Sequence, residues 1–327
     1  MTPESIPQTA NPGTAPGVNP GAPHLASEMW VSTTVPRISE LHRLFWLIRR
    51  ELWENRAIYL APLIVAALIL LGFTYSTLRI PANLVFTTIT NGVEDTHRGV
   101  DPIQVYNLAA ALILGTTSLV GVFYSLDALY SERRDRSILF WKSLPISDLT
   151  TVLSKAAIPL VLLPLLTFVI TIALQSLMLL INLSVFHLRG MDTTSLHTSL
   201  PLTQGALMLL LHLISIQILW YAPLWAWLLL VSAWARRTPL LWAVLPPFAL
   251  GVLEAITLHT THVFKLMVYR FHGPSDLDFT ANNMALGSPM QFSPAHFLTN
   301  PGLWEGLALA AVFLAAAIQL RRYRNPL

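Results

Sequence analysis

Six apolar stretches dominate this chain: Tyr59–Leu78, Val105–Leu126, Ala156–Leu183, Gly205–Ala235, Pro239–Leu258 and Leu303–Leu320. Together they hold no Lys or Arg, and their only acids are Glu254 and Glu305. A helix needs about 20 apolar residues to cross the hydrocarbon of a bilayer. Inside that hydrocarbon the backbone must satisfy its own hydrogen bonds. The expected fold is therefore an all-α membrane protein with six transmembrane helices. The third and fourth stretches exceed one crossing, so they tilt or extend beyond the bilayer. Pro159, Pro164 and Pro223 lie inside them. Membrane helices tolerate such prolines when neighbours re-satisfy the freed carbonyls.

Composition points the same way. Charged residues make up 11% of the 327, against roughly 25% for a soluble domain, so much of the surface must face something other than water. Cysteine is absent, which excludes disulfides, thiol chemistry and Cys-based metal sites.

Residues 1–36 differ from the rest, with seven Pro, three Gly, two Glu and no Lys or Arg. Such a segment buries too little apolar surface to offset its ordering entropy and is expected to be a disordered, Pro-rich tail. It lacks the basic region and apolar run of a signal peptide. The membrane domain is expected to cover residues 37–327. It opens with "ISELHRLFWLIRRELWENR", Ile38 to Arg56, where Ile38, Leu41, Phe45, Ile48 and Leu52 recur at helical spacing. That pattern predicts an amphipathic helix lying in the membrane interface, with Trp46 and Trp53 at headgroup level.

Orientation is read from Lys and Arg. Of the 20 such residues, fifteen fall on the side that carries both termini and five on the other. Both termini are therefore expected in the cytoplasm. The same side holds "YSERRDRSILFWKSLPISD", Tyr130 to Asp148, a dense knot of charge between the second and third spans. Topology alone accounts for its arginines. It does not account for Glu132 and Asp135, nor for the apolar period that continues through Ile138, Leu139 and Trp141. Pro145 is expected to end a short helix here, and Ser147 or Asp148 to cap the next one, which carries Lys155 into the third span.

The order of acid and bases, apolar turn, Leu144-Pro145, Ser147 and Lys155 after a second span resembles the permease subunits of type-2 ABC transporters. The interfacial helix, six spans, inward termini and long outer loop before the last span are similar too. Many members carry a Gly-Thr pair where this chain has Arg136-Ser137, which leaves subfamily and cargo open. The resemblance implies that segment 130–148 is a coupling helix seated on a separate ATP-binding subunit, with Glu132, Arg133, Arg134, Arg136, Phe140 and Trp141 as the contact residues. It also implies an exporter in the plasma membrane (the inner membrane in a Gram-negative cell), paired with a second permease subunit, a copy or a paralogue.

The chain has no G-x-x-x-x-G-K-[ST] phosphate loop and no Gly-Lys pair, so ATP hydrolysis is expected from the partner, which would carry the ATP and Mg. No cofactor, metal or nucleic acid is expected on this chain. Neither H-E-x-x-H nor G-x-S-x-G occurs, so it is not expected to be an enzyme. His259, His262, His272 and His296 share the outer loop without an acid or Cys in register, and read as ordinary loop histidines. Asp276-Leu277-Asp278 resembles a metal-binding D-x-D by composition only. The polar residues within spans, Gln175, Asn182, His212, Gln217 and Glu254, are candidates for a pathway or for interhelical hydrogen bonds. The loop from His259 to Gly302 is apolar and aromatic at its start and should hug the interface. It reads equally as short re-entrant helices or as a plain loop. Alternatives to an ABC permease are a secondary transporter or channel, which predicts inverted repeats and broken central helices, and a membrane enzyme without transport.

Overall fold

A computed structural model describes residues 40–79, 102–135, 147–190, 202–273 and 294–323. The tail expected at 1–36 and the segment 136–146 lie outside the described residues. The elements are α1 (Glu40–Glu54), α2 (Ala57–Arg79), α3 (Pro102–Asp127), α4 (Tyr130–Arg134), α5 (Asp148–Ala157), α6 (Leu163–Leu188), α7 (Leu202–His212), α8 (Ala222–Trp234), α9 (Pro239–Thr257), α10 (His262–His272), α11 (Pro294–Thr299) and α12 (Pro301–Tyr323). No strand occurs among the described residues.

Six helical stretches are long and apolar enough to cross a membrane: Ala57–Arg79, Gln104–Arg134, Asp148–Leu188, Leu202–Trp220, Pro239–Thr257 and Pro301–Tyr323. The chain is thus a multi-pass membrane protein. The third stretch has 41 residues. At ~1.5 Å per residue it is roughly 60 Å long, about twice the hydrocarbon thickness.

The fourth expected span, Gly205–Ala235, is not one helix. A π-helical segment, Leu213–Trp220, follows α7, and the chain steps at Tyr221 before α8 begins. The Tyr221 N–H reaches back five residues to Ile216 O at 2.9 Å. Pro223, just inside α8, has no N–H to give the preceding turn. Two residues on, the Trp225 indole donates to Gln217 O at 3.2 Å. A second π-helical segment, Ile158–Leu162, contains Pro159 and joins α5 to α6. Both interruptions thus sit beside prolines, as wide turns in membrane helices commonly do.

Two groups of helices form the interior. Ala66 of α2, Tyr106, Ala109 and Ile113 of α3, and Ile170, Leu174 and Met178 of α6 make one buried cluster. On the other side α8 and α12 pack through Ala222, Ala226 and Ala310, small residues that let the two helices approach closely. α3 joins the groups. A Cβ on Gly121 would lie 2.9 Å from Leu163 and 3.0 Å from Trp225, so α3 packs closely on α6 and α8 at that glycine. α2 and α9 are the least enclosed spans, 17% and 11% buried against 44% for the third. They form the periphery.

The described part of the loop after α9 is helical. α10 turns back along α9, with Phe264 against Gly251, where a Cβ would be 2.9 Å from the ring. Its far end docks on the interruption of span four. Trp220 Nε1 donates to Arg270 O at 2.9 Å, and Tyr221 OH donates to Phe271 O at 3.0 Å.

Candidate functional site

Charge is expensive in a chain of this kind, so buried ions mark the place to look. They gather at one end of the bundle, where α3 ends and α12 ends. After α3 the chain turns at Ala128-Leu129 and forms the single turn of α4. The N–H groups of Leu129 and Tyr130 both donate to Ser232 Oγ, each at 2.9 Å. A hydroxyl from α8, about a hundred residues away, therefore caps α4 from outside its own segment.

Arg133 makes the reciprocal bond. Its Nη2 donates to Ser232 O at 2.8 Å and to Ala235 O at 2.6 Å. These carbonyls close the C-terminal end of α8, where a cation is favoured. The guanidinium is buried, at 3% exposure.

Glu132 points the other way, into a network of ions. Its Oε2 accepts from Arg321 Nη1 of α12 at 2.6 Å, and its Oε1 pairs with Lys155 Nζ of α5 at 3.2 Å. Lys155 donates in turn to Glu51 Oε1 of α1 at 2.7 Å. The second Glu51 oxygen accepts the Tyr124 hydroxyl at 3.0 Å. Arg321 Nε donates to Asp148 Oδ1 at 3.1 Å, and Asp148 opens α5 behind its N-cap, Ser147, whose hydroxyl accepts from Thr150 N. The side chains of Glu51, Glu132, Lys155 and Arg321 are 4–7% exposed, and Asp148 is 29% exposed. Two carboxylates and two cations are thus buried together in balance, with a third carboxylate at the rim. α1, α4, α5 and α12 are bound to one another through this network, and Arg133 adds α8.

Six residues were expected to face a partner. Of these, Glu132 and Arg133 are buried and bonded within the chain. Arg134 and Asp135 are exposed and paired with each other, Nε to Oδ1 at 3.1 Å. Arg136, Phe140 and Trp141 lie outside the described residues. The cap expected at Ser147 or Asp148 is Ser147.

The polar residues of the spans do not converge on one cluster in the described hydrogen bonds. Gln175 and Asn182 meet on Tyr106, the first on its carbonyl at 3.3 Å and the second on its hydroxyl at 3.2 Å. Gln217 donates to Ser118 Oγ at 3.1 Å. All three act between helices. His212 is buried at the last position of α7, directly before the π-helical segment.

Glu254 holds the turn between α9 and α10. It accepts from Thr260 Oγ1 at 2.6 Å, His262 N at 2.8 Å and Val263 N at 2.7 Å, with His262 Nδ1 at 3.0 Å. A carboxylate thus satisfies the first N–H groups of α10 and lies at the positive end of that helix. His259 stands in the same turn, with φ at 50°. Among the described residues no three His, Cys, Asp or Glu are grouped closely enough to hold a metal ion. The side chain of His296 and the Asp276-Leu277-Asp278 triplet lie outside the described residues.

Glu51, Tyr124, Ser232 and Arg321 were not among the expected site residues. Lys155 and Arg321 register in the sequence only as positive charges near a membrane. One signal was available: Lys155 interrupts an otherwise uncharged helical run, Leu149 to Leu188, and needs an acid.

In the comparisons with known proteins, no sequence family, no curated protein and no solved structure matches this chain.

Proposed function

We propose that this chain is the membrane-spanning subunit of an ATP-driven ABC transporter, working as an exporter in the plasma membrane with both termini in the cytoplasm. ATP and Mg are held by a separate ATP-binding chain that engages segment 130–148. The observation that carries the reading is the anchoring of that segment. Its first turn, α4, is tied by Glu132 to α5 and α12, through Lys155 to α1, and by Arg133 to α8. Its other end, Ser147-Asp148, is tied by Asp148 to Arg321. The two described ends of the segment are thus bonded to α1, α5, α8 and α12. Such a bonded linkage suits an element that passes motion from a soluble ATPase into spans.

On this reading the coupling residues are of two kinds. Glu132 and Arg133 are positioning residues that hold the segment's base. Arg134, Arg136, Phe140 and Trp141 are left for the partner's surface. The exposed apolar faces of α2 and α9, which include Leu68, Leu71, Leu241, Leu245 and Ile256, leave room for a second permease subunit, since one such bundle does not enclose a pathway.

A secondary transporter is the alternative, and the interruption of span four is the feature that favours it. Pro159 and Pro223 account for both interruptions without a bound ion, so the ATP-driven reading stands ahead. The test is purification from native membranes under mild detergent. A phosphate-loop ATPase that co-purifies in fixed ratio, and whose turnover this chain alters, supports the reading. Its reproducible absence overturns it.

A further inference from the structure

α1 presents two opposite sides. Leu47 and Glu51 are buried, the latter on Lys155 and Tyr124. About half a turn away the helix carries Phe45, Trp46, Arg49 and Trp53, and the three aromatic side chains are 52–72% exposed. The Arg49 guanidinium lies 5.1 Å from the Trp46 ring centre and 5.7 Å from that of Trp53. The Trp46 indole is fixed by donating to His42 Nε2 at 2.8 Å. The neighbouring Arg50 is neutralised by Glu54 at 2.6 Å. Arg49 has no acidic partner among the described residues, and neither does the exposed Arg56.

From this arrangement we infer that Trp46, Arg49 and Trp53 form a surface site for the phosphate groups of anionic phospholipids and seat α1 on a charged leaflet. A guanidinium resting between two indoles keeps its N–H edges free, and those edges match phosphate oxygens in a forked pair. Tryptophan is the side chain most at home where hydrocarbon meets headgroups. The site is also in the right place, because α2 begins at Ala57, three residues after α1 ends, with Leu60, Leu63 and Ile64 exposed along its first turns. The stripe cannot roll inward, since the opposite side is held by the Lys155–Glu51 bond. Two uncompensated cations fit a negative leaflet, each raising affinity on the order of fivefold. The inference rests on the six apolar helices alone and stands apart from the transporter reading.

The test uses the full chain in nanodiscs that contain brominated phosphatidylglycerol or brominated phosphatidylcholine at equal mole fraction. Fluorescence quenching is read as the difference between the natural chain and a Trp46→Phe/Trp53→Phe variant, which isolates those two indoles from the other eight. The anionic lipid should quench that difference signal about threefold or more better than the zwitterionic one. Arg49→Gln or high salt should bring the two to parity, whereas Arg50→Gln should leave the preference intact. All these side chains are at the surface, so the variants keep the fold, and a thermal melt of each checks it. Parity in the natural chain, a preference that survives Arg49→Gln, or no quenching by either lipid overturns the site. Inorganic phosphate that binds the natural chain in detergent, with no lipid preference in the nanodiscs, assigns the site to free phosphate and overturns the membrane role.

Discussion

Lys155 Nζ lies 2.7 Å from Glu51 Oε1 across 104 residues of sequence, and both side chains are buried. The same ammonium faces Glu132 at 3.2 Å, so one lysine joins the helix before the first span to the turn after the second. Buried ions of this kind add little net stability over apolar residues of the same shape, yet are costly to break one at a time.

The first prediction follows from that asymmetry. Lys155→Met strands Glu51 and leaves Glu132 with Arg321 alone, and should destabilise the chain by about 3–5 kcal/mol. Lys155→Met combined with Glu51→Gln removes one charge of each sign and keeps the Glu132–Arg321 pair. The double variant should recover a large part of the loss. Thermal unfolding of the purified chain in detergent measures both. An undiminished loss in the double variant would show that the pair is not coupled.

Ser232 supports a second prediction. Its hydroxyl accepts two backbone N–H groups at the start of α4. Ser232→Ala leaves both without that acceptor and should cost about 1–2 kcal/mol. Exchange of the Leu129 and Tyr130 amides should speed up accordingly, with α8 itself unaffected. Unchanged protection at those two amides would remove Ser232 as the cap.

How far the sequence alone reaches can be judged on these residues. The spans were legible because hydrocarbon leaves so few options: Pro239–Leu258 is observed as Pro239–Thr257, and Tyr59–Leu78 as Ala57–Arg79. The step at Tyr221 was not legible, because a proline inside a membrane helix is read as tolerable until its neighbours are known. The inward side of α1 was not legible, for a different reason. Ile48 and Leu52 are only partly buried and Phe45 is exposed, because Glu51 is drawn inward by Lys155. Apolar period alone does not foresee a helix that turns an acid toward its core. The network itself was hidden by sequence separation, since Glu132 meets Arg321 across 189 residues.

Orientation gives a third prediction, from the fifteen-to-five split of Lys and Arg. Cysteines introduced by Ser137→Cys and by Thr280→Cys, each into this cysteine-free chain, should react with a membrane-impermeant maleimide from opposite sides of sealed vesicles. Thr280→Cys should be the one labelled from outside the cell. Labelling of both from the same side would contradict the three spans that separate these two positions.

Glu254 supplies a fourth. It accepts from the first amides of α10 and from Thr260 at once. Glu254→Ala leaves those donors to water, so amide exchange over the first turn of α10 should quicken severalfold while the spans keep their protection. If Glu254 instead serves a pathway through the bundle, transport should fall with no change in that exchange.

The last prediction separates holding the coupling segment from touching the partner. Glu132 is buried on Lys155 and Arg321, so Glu132→Gln should damage the chain before it damages any contact. Its melting temperature should fall, and loss of the ATPase should follow in proportion to unfolding. Phe140 and Trp141 belong to the stretch proposed to meet the partner. An aromatic anchor at a protein interface is commonly worth about 2 kcal/mol, roughly 30-fold in affinity. Phe140→Ala with Trp141→Ala should therefore leave the melt unchanged and still lower ATPase co-purification by that order. The two variants must dissociate for the division to hold. If Phe140→Ala/Trp141→Ala chain binds the ATPase normally and stimulates its turnover as before, the segment is only a charged cap on a membrane helix. If Glu132→Gln releases the ATPase with an unaltered melt, the glutamate reaches the partner and its ion pairs within this chain are not its principal role.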